Sequence, residues 1–403
     1  MKGIGIASPF NPYELREYLY VEDIPYALNN NVSATSVHTM VKGLLKLNCH
    51  VIIFSTDLQI KKTVHLRGEL LDIYLIPRRF YKMKKFTSFD GKYMAGRLKR
   101  VIGEHILEIS VLHAQWTYEY AYASLSYADK IPVFCTVRDW CPYLRSKAFS
   151  LREKLHWNIY WGLFKKVLSD KNIHFIANSK YTQTCVANYW GNSHYLPIIP
   201  NPISEEYIIE KRHTYPEHPV FVSIANSLTE VRKNLYNLLL AFREYRKECV
   251  DSSLWLIGKY DEKETVIKQW KEQGLLEGVT LLGFLDHNEL IKVLDRASVL
   301  VHPSLEETFG NILIEGMARK LVVVGGERAG AVPSVLGCGR FGYLCDVTQP
   351  MSIYVTLRNI VANWTNSLNV VEAATYNLLE TYCDRTVALK HLSLYKESIA
   401  NNY

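Results

Sequence analysis

Two glutamates and an adjacent pair of cations are the residues best equipped for chemistry. Glu307 and Glu315 are separated by seven residues, and Thr308-Phe309-Gly310 reads as a turn into a helical stretch starting at Asn311. Gly310 lets the backbone approach a ligand closely, and the first N–H groups of a helix have no partner within it, so an anion such as a diphosphate fits that end. Glu315, about one turn into the helix, is placed to accept hydrogen bonds from vicinal hydroxyls, as a ribose offers. Glu307, on the loop, lies nearer to a group in transfer. Arg232 and Lys233, in Glu230-Val-Arg-Lys-Asn234, supply two positive charges where a leaving group develops negative charge. Each feature has a plainer alternative. Paired glutamates are common on surfaces, and adjacent cations at a helix start need not face the same way.

These residues need elements to hold them, and the chain supplies short apolar runs alternating with longer periodic segments, the pattern of parallel sheets built from strand-helix-strand units. Strand candidates in the first half are Gly3–Ser8, His50–Ser55, Leu71–Ile76, Ser110–Ala114, Val133–Val137, Ile173–Asn178 and Tyr195–Ile199. In the second half they are Val220–Ala225, Leu254–Gly258, Val279–Gly283, Val299–His302 and Leu321–Gly325. Ligands of such sheets bind beyond the carboxyl ends of the strands, and Arg232, Lys233 and Glu307 all follow a strand candidate. Leu235, Leu238, Leu239 and Phe242 have the spacing of a helix with one buried stripe, starting near Lys233. Leu389, Leu392, Tyr395 and Ile399 predict a helix over 386–400, either a simple end to the second domain or a segment crossing back to the first.

A chain of 403 residues exceeds the size of a single core, so two domains are expected. Pro200-Asn-Pro202 and the polar stretch Glu205–Pro219 place the boundary, giving domains 1–200 and 201–385 and a terminal helix 386–403. The eight cysteines lack metal-ligand spacing, and no apolar run approaches the ~20 residues of a membrane span, which fits a cytoplasmic protein, soluble or attached to the inner face of a membrane. Residues 1–200 carry 26 Lys+Arg against 15 Asp+Glu, and residues 201–403 carry 21 against 25. The basic excess concentrates in 78–85 and 97–100. It is either an ordinary solvated face or a surface for anionic lipid headgroups or a polyprenyl-diphosphate. No nucleic-acid motif accompanies it, and no GxGxxG follows an early strand, which disfavours a dinucleotide dehydrogenase.

The full string Pro303-Ser304, Glu307, Phe309-Gly310, Glu315-Gly-Met-Ala318 and Leu321-Val-Val-Val-Gly325 resembles the E-x7-E signature of glycosyltransferase family 4. Lys233-Asn234 matches that family's Lys-Gly or Lys-Asn pair, with Arg232 in place of an arginine that usually comes sooner after the strand. Gly325-Gly-Glu-Arg-Ala-Gly330 resembles its glycine-rich loop, where Gly330 lines the donor pocket and Ser334 stands in a usually acidic position. In the first half, Ala7-Ser-Pro-Phe-Asn-Pro12, His38 and His50-Val51 are similar to the family's amino-terminal half, without its double glycine. Val111-Leu-His-Ala-Gln-Trp116 replaces the usual His-x-His-Trp, so His113 is either a core histidine or a pocket residue, and Gln115 takes the place of the histidine near the sugar. Thr136-Val-Arg-Asp-Trp140 matches a frequent His-Asp, which implies Arg138 and Asp139 as acceptor-side residues; a simple ion pair for Arg138 is the alternative. Glutamine cannot act as a base.

The resemblance implies an α/β fold of the GT-B type, two Rossmann-like parallel-sheet domains facing a cleft, with the terminal helix crossing back. It implies a retaining transferase that moves a sugar from a nucleotide-sugar, with UDP or GDP as the nucleotide, to a hydroxyl of a glycan or polyprenyl-linked acceptor in bacterial surface polysaccharide synthesis. Glu307, Lys233 and Arg232 would be catalytic. Glu315, Thr308, Phe309, Gly310, Asn311 and Gly330 would bind the donor, and His113, Gln115, Arg138 and Asp139 would line the acceptor side. No Asp-x-Asp motif is present, so a metal-independent donor site with no cofactor is expected. The rivals are a sugar-nucleotide 2-epimerase and a catalytically silent binding protein of the same fold.

Overall fold

The computed structural model describes residues 2–30, 32, 34–78, 91–148, 150–191, 196–212 and 214–401. The chain forms two compact units, Met1–Pro202 with Asp384–Tyr403, and Ile203–Cys383. The strands are rich in Val, Ile and Leu and mostly buried along their length, as sheets covered on both faces require.

Among the described residues, unit 1 has seven strands: β1 (Gly3–Ala7), β2 (Val51–Asp57), β3 (Val64–Arg67), β4 (Leu71–Pro77), β5 (Ile109–Gln115), β6 (Val133–Val137) and β7 (Ile173–Ala177). Their order is β3-β4-β2-β1-β5-β6-β7, parallel throughout except for β3. Its helices are α1 (Thr35–Lys46), α2 (Gly91–Glu104), α3 (Glu119–Ser124), α4 (Cys141–Lys147), α5 (Leu151–Leu168) and α6 (Lys180–Tyr189). α5 and α6 each start with a capping box, Ser150 with Glu153 and Ser179 with Thr182. Tyr195 of the expected strand Tyr195–Ile199 lies outside the described residues, and residues 196–199 form no strand. Pro197 and Pro200 withhold donors, and what remains in the described part is an isolated bridge between Ile198 and Ala177. Conversely, β3 was not anticipated, because four residues of mixed exposure on a sheet edge carry too little pattern.

Unit 2 has six parallel strands, β8 (Val220–Ser227), β9 (Ser253–Lys259), β10 (Val279–Gly283), β11 (Val299–His302), β12 (Val322–Gly326) and β13 (Tyr343–Cys345), ordered β10-β9-β8-β11-β12-β13. Between and after them run α7 (Leu235–Arg246), α8 (Thr265–Glu272), α9 (His287–Leu294), α10 (Asn311–Ala318), α11 (Val332–Val335), α12 (Pro350–Ala362) and α13 (Trp364–Thr381). The three-residue β13 also escaped the sequence pattern. α7 starts later than expected: Val231–Lys233 forms a tight turn, and Asn234 at φ +54° separates it from the helix. Asparagine tolerates that left-handed conformation. Its side chain holds the turn by donating to the carbonyls of Pro303 (3.1 Å) and Val347 (2.8 Å).

The last helix, α14 (Asp384–Asn401), belongs to unit 1 and packs on α1. A side chain at Gly43 would stand 2.5 Å from the Asp384 carbonyl, so glycine sets the closeness of the two helices. Lys46 pairs with Asp384 at 2.8 Å. The buried face is Val387, Ala388, His391, Leu392 and Tyr395, whereas Leu389 is 47% exposed, so the stripe is rotated from the expected one. Each larger apolar side chain buried there contributes about 1.5–3 kcal/mol.

Candidate functional site

In unit 2, three loops leave the carboxyl ends of the neighbouring strands β8, β11 and β12, and they carry Arg232-Lys233, Glu307 and Gly330 respectively. Backbone bonds join them. The Leu305 N–H donates to the Arg232 carbonyl at 2.9 Å, and the Ala331 N–H donates to the Glu307 carbonyl at 2.8 Å. Gly330 has φ +61°, and a Cβ there would lie 2.3 Å from the Glu307 oxygen, so glycine alone allows the third loop this approach.

Three basic side chains converge on one oxygen of Glu307, Oε1. Lys233 Nζ lies 2.5 Å away, His302 Nε2 3.1 Å and Arg232 Nη1 3.6 Å. Burial by itself would raise the Glu307 pKa. The His302 hydrogen bond and the charges of Lys233 and Arg232 outweigh it and hold the carboxyl well below the usual carboxylate range. Burial is the main cause that moves the His302 pKa down, against the pull of its bond to Glu307. Arg232 is also tied to Glu230 at 2.9 Å and to the Glu306 carbonyl at 3.0 Å. Burial would lower its pKa, but Glu307, Glu230 and Glu306 raise it. Arg232 therefore stays charged beside an ionised Glu307. His302 was not singled out from the sequence; its position as the last residue of β11 was the available signal.

Gly310, φ +85°, is the N-cap of α10, which has neither a side-chain cap nor an acidic residue in its first turn. Thr308 and Asn311 are half-buried at that end. The first amides of α10 therefore present an end suited to an anion. Phe309 departs from its expected place in the donor pocket: its ring is buried in the core against Tyr382, 5.8 Å between centroids. Glu315 is buried too, and the Tyr207 hydroxyl donates to it. Burial pushes its pKa up to about 7, opposed by His287 and the Tyr207 bond. Neither Tyr207 nor His287 was legible as part of this site. Ser334 uses its hydroxyl locally, donating to the Ala331 carbonyl at 2.7 Å.

In unit 1 the four expected residues separate. His113 is fully buried between β5 and α14: Nδ1 shares a hydrogen bond with the Tyr395 hydroxyl (2.5 Å) and Nε2 with Thr136 Oγ1 (2.7 Å). Burial holds it neutral, well below its usual pKa. It fastens α14 to the sheet, which replaces the pocket role expected of it. Gln115, Arg138 and Asp139 stand at the carboxyl ends of β5 and β6. Arg138 donates to Gln115 Oε1 (2.7 Å), Ser36 Oγ (2.9 Å) and Asn201 Oδ1 (2.7 Å), all neutral, and burial lowers its pKa to about 10. Asp139 accepts from the Tyr118 hydroxyl at 2.8 Å. Among the described residues, no three His, Cys, Asp or Glu side chains are grouped to hold a metal ion, and no helix is long and apolar enough to cross a membrane.

Two family models match the chain, and together they cover most of it. Residues 33–207 match the model of Glycosyltransferase Family 4, and residues 205–377 match Glycosyl transferases group 1. A glycogen synthase of Mycobacterium tuberculosis is 24% identical over 166 residues, 41% of this chain and 40% of that protein. The chain thus spans about 40% of the curated relatives it matches first. Sucrose-phosphate synthase of Thermosynechococcus elongatus is similar in fold over 100% of both chains, at a TM-score of 0.76 and 14% identity. HepE of Anabaena, solved in complex with UDP-glucose, is similar over 98% of this chain and 100% of its own, at a TM-score of 0.67 and 14% identity.

Proposed function

The chain belongs to the family 4 glycosyltransferases, and on that premise we propose that it moves a sugar from a nucleotide-sugar to an acceptor hydroxyl with retention of anomeric configuration. The observation that carries this is the convergence of Lys233, Arg232 and His302 on Glu307, on loops at the carboxyl ends of β8 and β11 and next in sequence to the open end of α10. Lys233, Arg232 and the first amides of α10 hold the diphosphate of UDP or GDP. Charge builds there as the glycosidic bond breaks, and fixed cations stabilise it without reorganising.

Glu307 orients the sugar and keeps Lys233 and Arg232 in place before the donor arrives. Glu315 accepts from the ribose hydroxyls. No protein base is assigned on the acceptor side: Gln115 cannot take a proton and His113 is enclosed. In front-face transfer the departing phosphate oxygen takes the acceptor's proton, and the protein contributes position and charge. The donor site in this scheme works without a metal ion.

The acceptor is a glycan or polyprenyl-linked sugar of surface polysaccharide synthesis, met at the inner face of the membrane. Most of the basic stretch 78–85 lies outside the described residues, and Arg97, Lys99 and Arg100 lie on α2. Support for membrane contact comes also from α4 and the start of α5, where Leu151 (84%) and Leu155 (46%) are exposed among Arg145, Lys147, Arg152 and Lys154. That mixture suits an anionic bilayer surface.

A thermal-shift screen with UDP, GDP and ADP tests the donor site. A nucleotide held at 100 times its dissociation constant adds about 2.7 kcal/mol, and no shift with any of the three would remove the assignment.

A further inference from the structure

Unit 1 holds a second concentration of buried polar groups. In an open parallel sheet a crevice forms at the carboxyl ends of two adjacent strands whose following helices cover opposite faces. β1 and β5 are such a pair: α1 packs into one core layer and α3 into the other.

Three observations meet at this crevice. Ser36 lies in the first turn of α1, a twelve-residue helix with no side-chain cap and no acidic residue at that end, and its hydroxyl accepts from Arg138. Gln115, the last residue of β5, receives Arg138 Nε on its oxygen, which fixes the orientation of the amide. Its Nε2 is buried with no hydrogen-bond partner. Trp116 follows at φ +63°, a conformation that costs a bulky residue about 1–2 kcal/mol, with the Arg138 guanidinium 5.7 Å from its ring. The next side chain, Thr117, is fully buried and its hydroxyl has no partner either.

An unpartnered buried polar group costs about 1–3 kcal/mol. Two of them flanking a strained residue do nothing for folding, so they point to a ligand. The positioned groups are a guanidinium, an amide NH2 and the positive end of a helix, and their complement is an acceptor-only anion of phosphate type.

We propose that the β1/β5 crevice of unit 1 is an anion site, and that it receives a phosphate carried by the sugar acceptor. The acceptor is then a phosphorylated or diphosphate-linked molecule and not a neutral glycan. The acceptor half of this inference rests on the transferase function proposed above. The anion site stands on the crevice alone.

The test titrates inorganic pyrophosphate into the full chain saturated with the nucleoside diphosphate that gives the largest thermal shift, so that the phosphate site of unit 2 is filled. Pyrophosphate should still bind. Gln115→Glu keeps the side chain's shape, pairs with Arg138 and opposes the anion, so it should weaken pyrophosphate at least tenfold while raising the unfolding temperature. Lys233→Ala should leave pyrophosphate binding in place. Absence of binding to the nucleotide-saturated wild type, or wild-type affinity in Gln115→Glu, overturns the proposal. If no nucleoside diphosphate binds at all, the transferase function fails and pyrophosphate is titrated alone. Sensitivity to Gln115→Glu then upholds the anion site, and insensitivity rejects it.

Discussion

The polar centres of the two units solve the burial of charge in opposite ways. In unit 2, Glu307 meets Lys233, Arg232 and His302 within 3.6 Å, so the charges offset one another in the unliganded chain. In unit 1, Arg138 is held by the neutral Gln115, Ser36 and Asn201, and donors nearby are left over. A balanced network of this kind holds its cations in place without a ligand. A centre with surplus donors lacks a complement until one arrives.

The sharpest way to break this contrast is Glu307→Gln. It leaves Lys233 and Arg232 buried without their shared counter-charge, and the expected loss is about 3–5 kcal/mol in urea unfolding, with transfer slowed at least ~100-fold. A loss below ~1 kcal/mol would mean that the network is not balanced through Glu307.

Glu315 gives the next effect. Its folded-state pKa of about 7 lies above the ordinary 4.5, so the native chain holds a proton that the unfolded chain releases. Stability tied to this group is present in full below pH 4.5 and is lost as pH rises through 7. Glu315→Gln should therefore exceed the wild type at pH 8 by on the order of 3 kcal/mol, with the gap closing towards pH 4.5. A gap independent of pH would refute the titration. Nucleotide affinity should move the other way, tightening as pH rises through 7, because the ribose hydroxyls need the carboxylate.

Gly330→Ala tests whether loop closeness matters apart from charge. The left-handed φ and the contact with the Glu307 carbonyl predict about 1–3 kcal/mol of destabilisation and weaker nucleotide binding by calorimetry. Tyr395→Phe should cost about 1–2 kcal/mol by removing the His113 bond, with turnover per folded molecule unchanged. A selective loss of turnover would return His113 to the acceptor site. The smallest effect concerns the membrane: Leu151→Ser with Leu155→Ser should weaken cosedimentation with anionic vesicles several-fold and leave unfolding unaltered. Equal binding would clear α5 of that role.

Legibility differed between the units for a physical reason. Five of the six strands of unit 2 were visible as apolar runs, and the polar loops after β8 and β11 stood out because charged residues followed a hydrophobic strand directly. Unit 1 was visible in six strands, but proline at 197 and 200 overrode the apolar pattern of a seventh candidate, and the edge strand β3 had no run to detect. Phe309 was misplaced because its neighbours in sequence are pocket-like while its ring meets Tyr382 in space. His113 behaved likewise: its motif suggested a pocket, and α14, arriving from the far end of the chain, enclosed it.

The sequence by itself determined the parallel α/β plan, the placement of Arg232, Lys233, Glu307 and Glu315 after strands or at a helix start, and the family. The first two follow from local apolar periodicity and from residue types at fixed spacing, and the family from the resemblance of the 303–325 string to a known signature. Only the tertiary structure decided that His302 joins Glu307, that Tyr207 caps Glu315, that Gly330 lets a third loop close on the Glu307 backbone, and that Arg138 is held by neutral groups from α1, β5 and the segment after α6. A side chain brings its chemistry with it, but its burial and its partners come from segments distant in sequence, and those set its charge and its role.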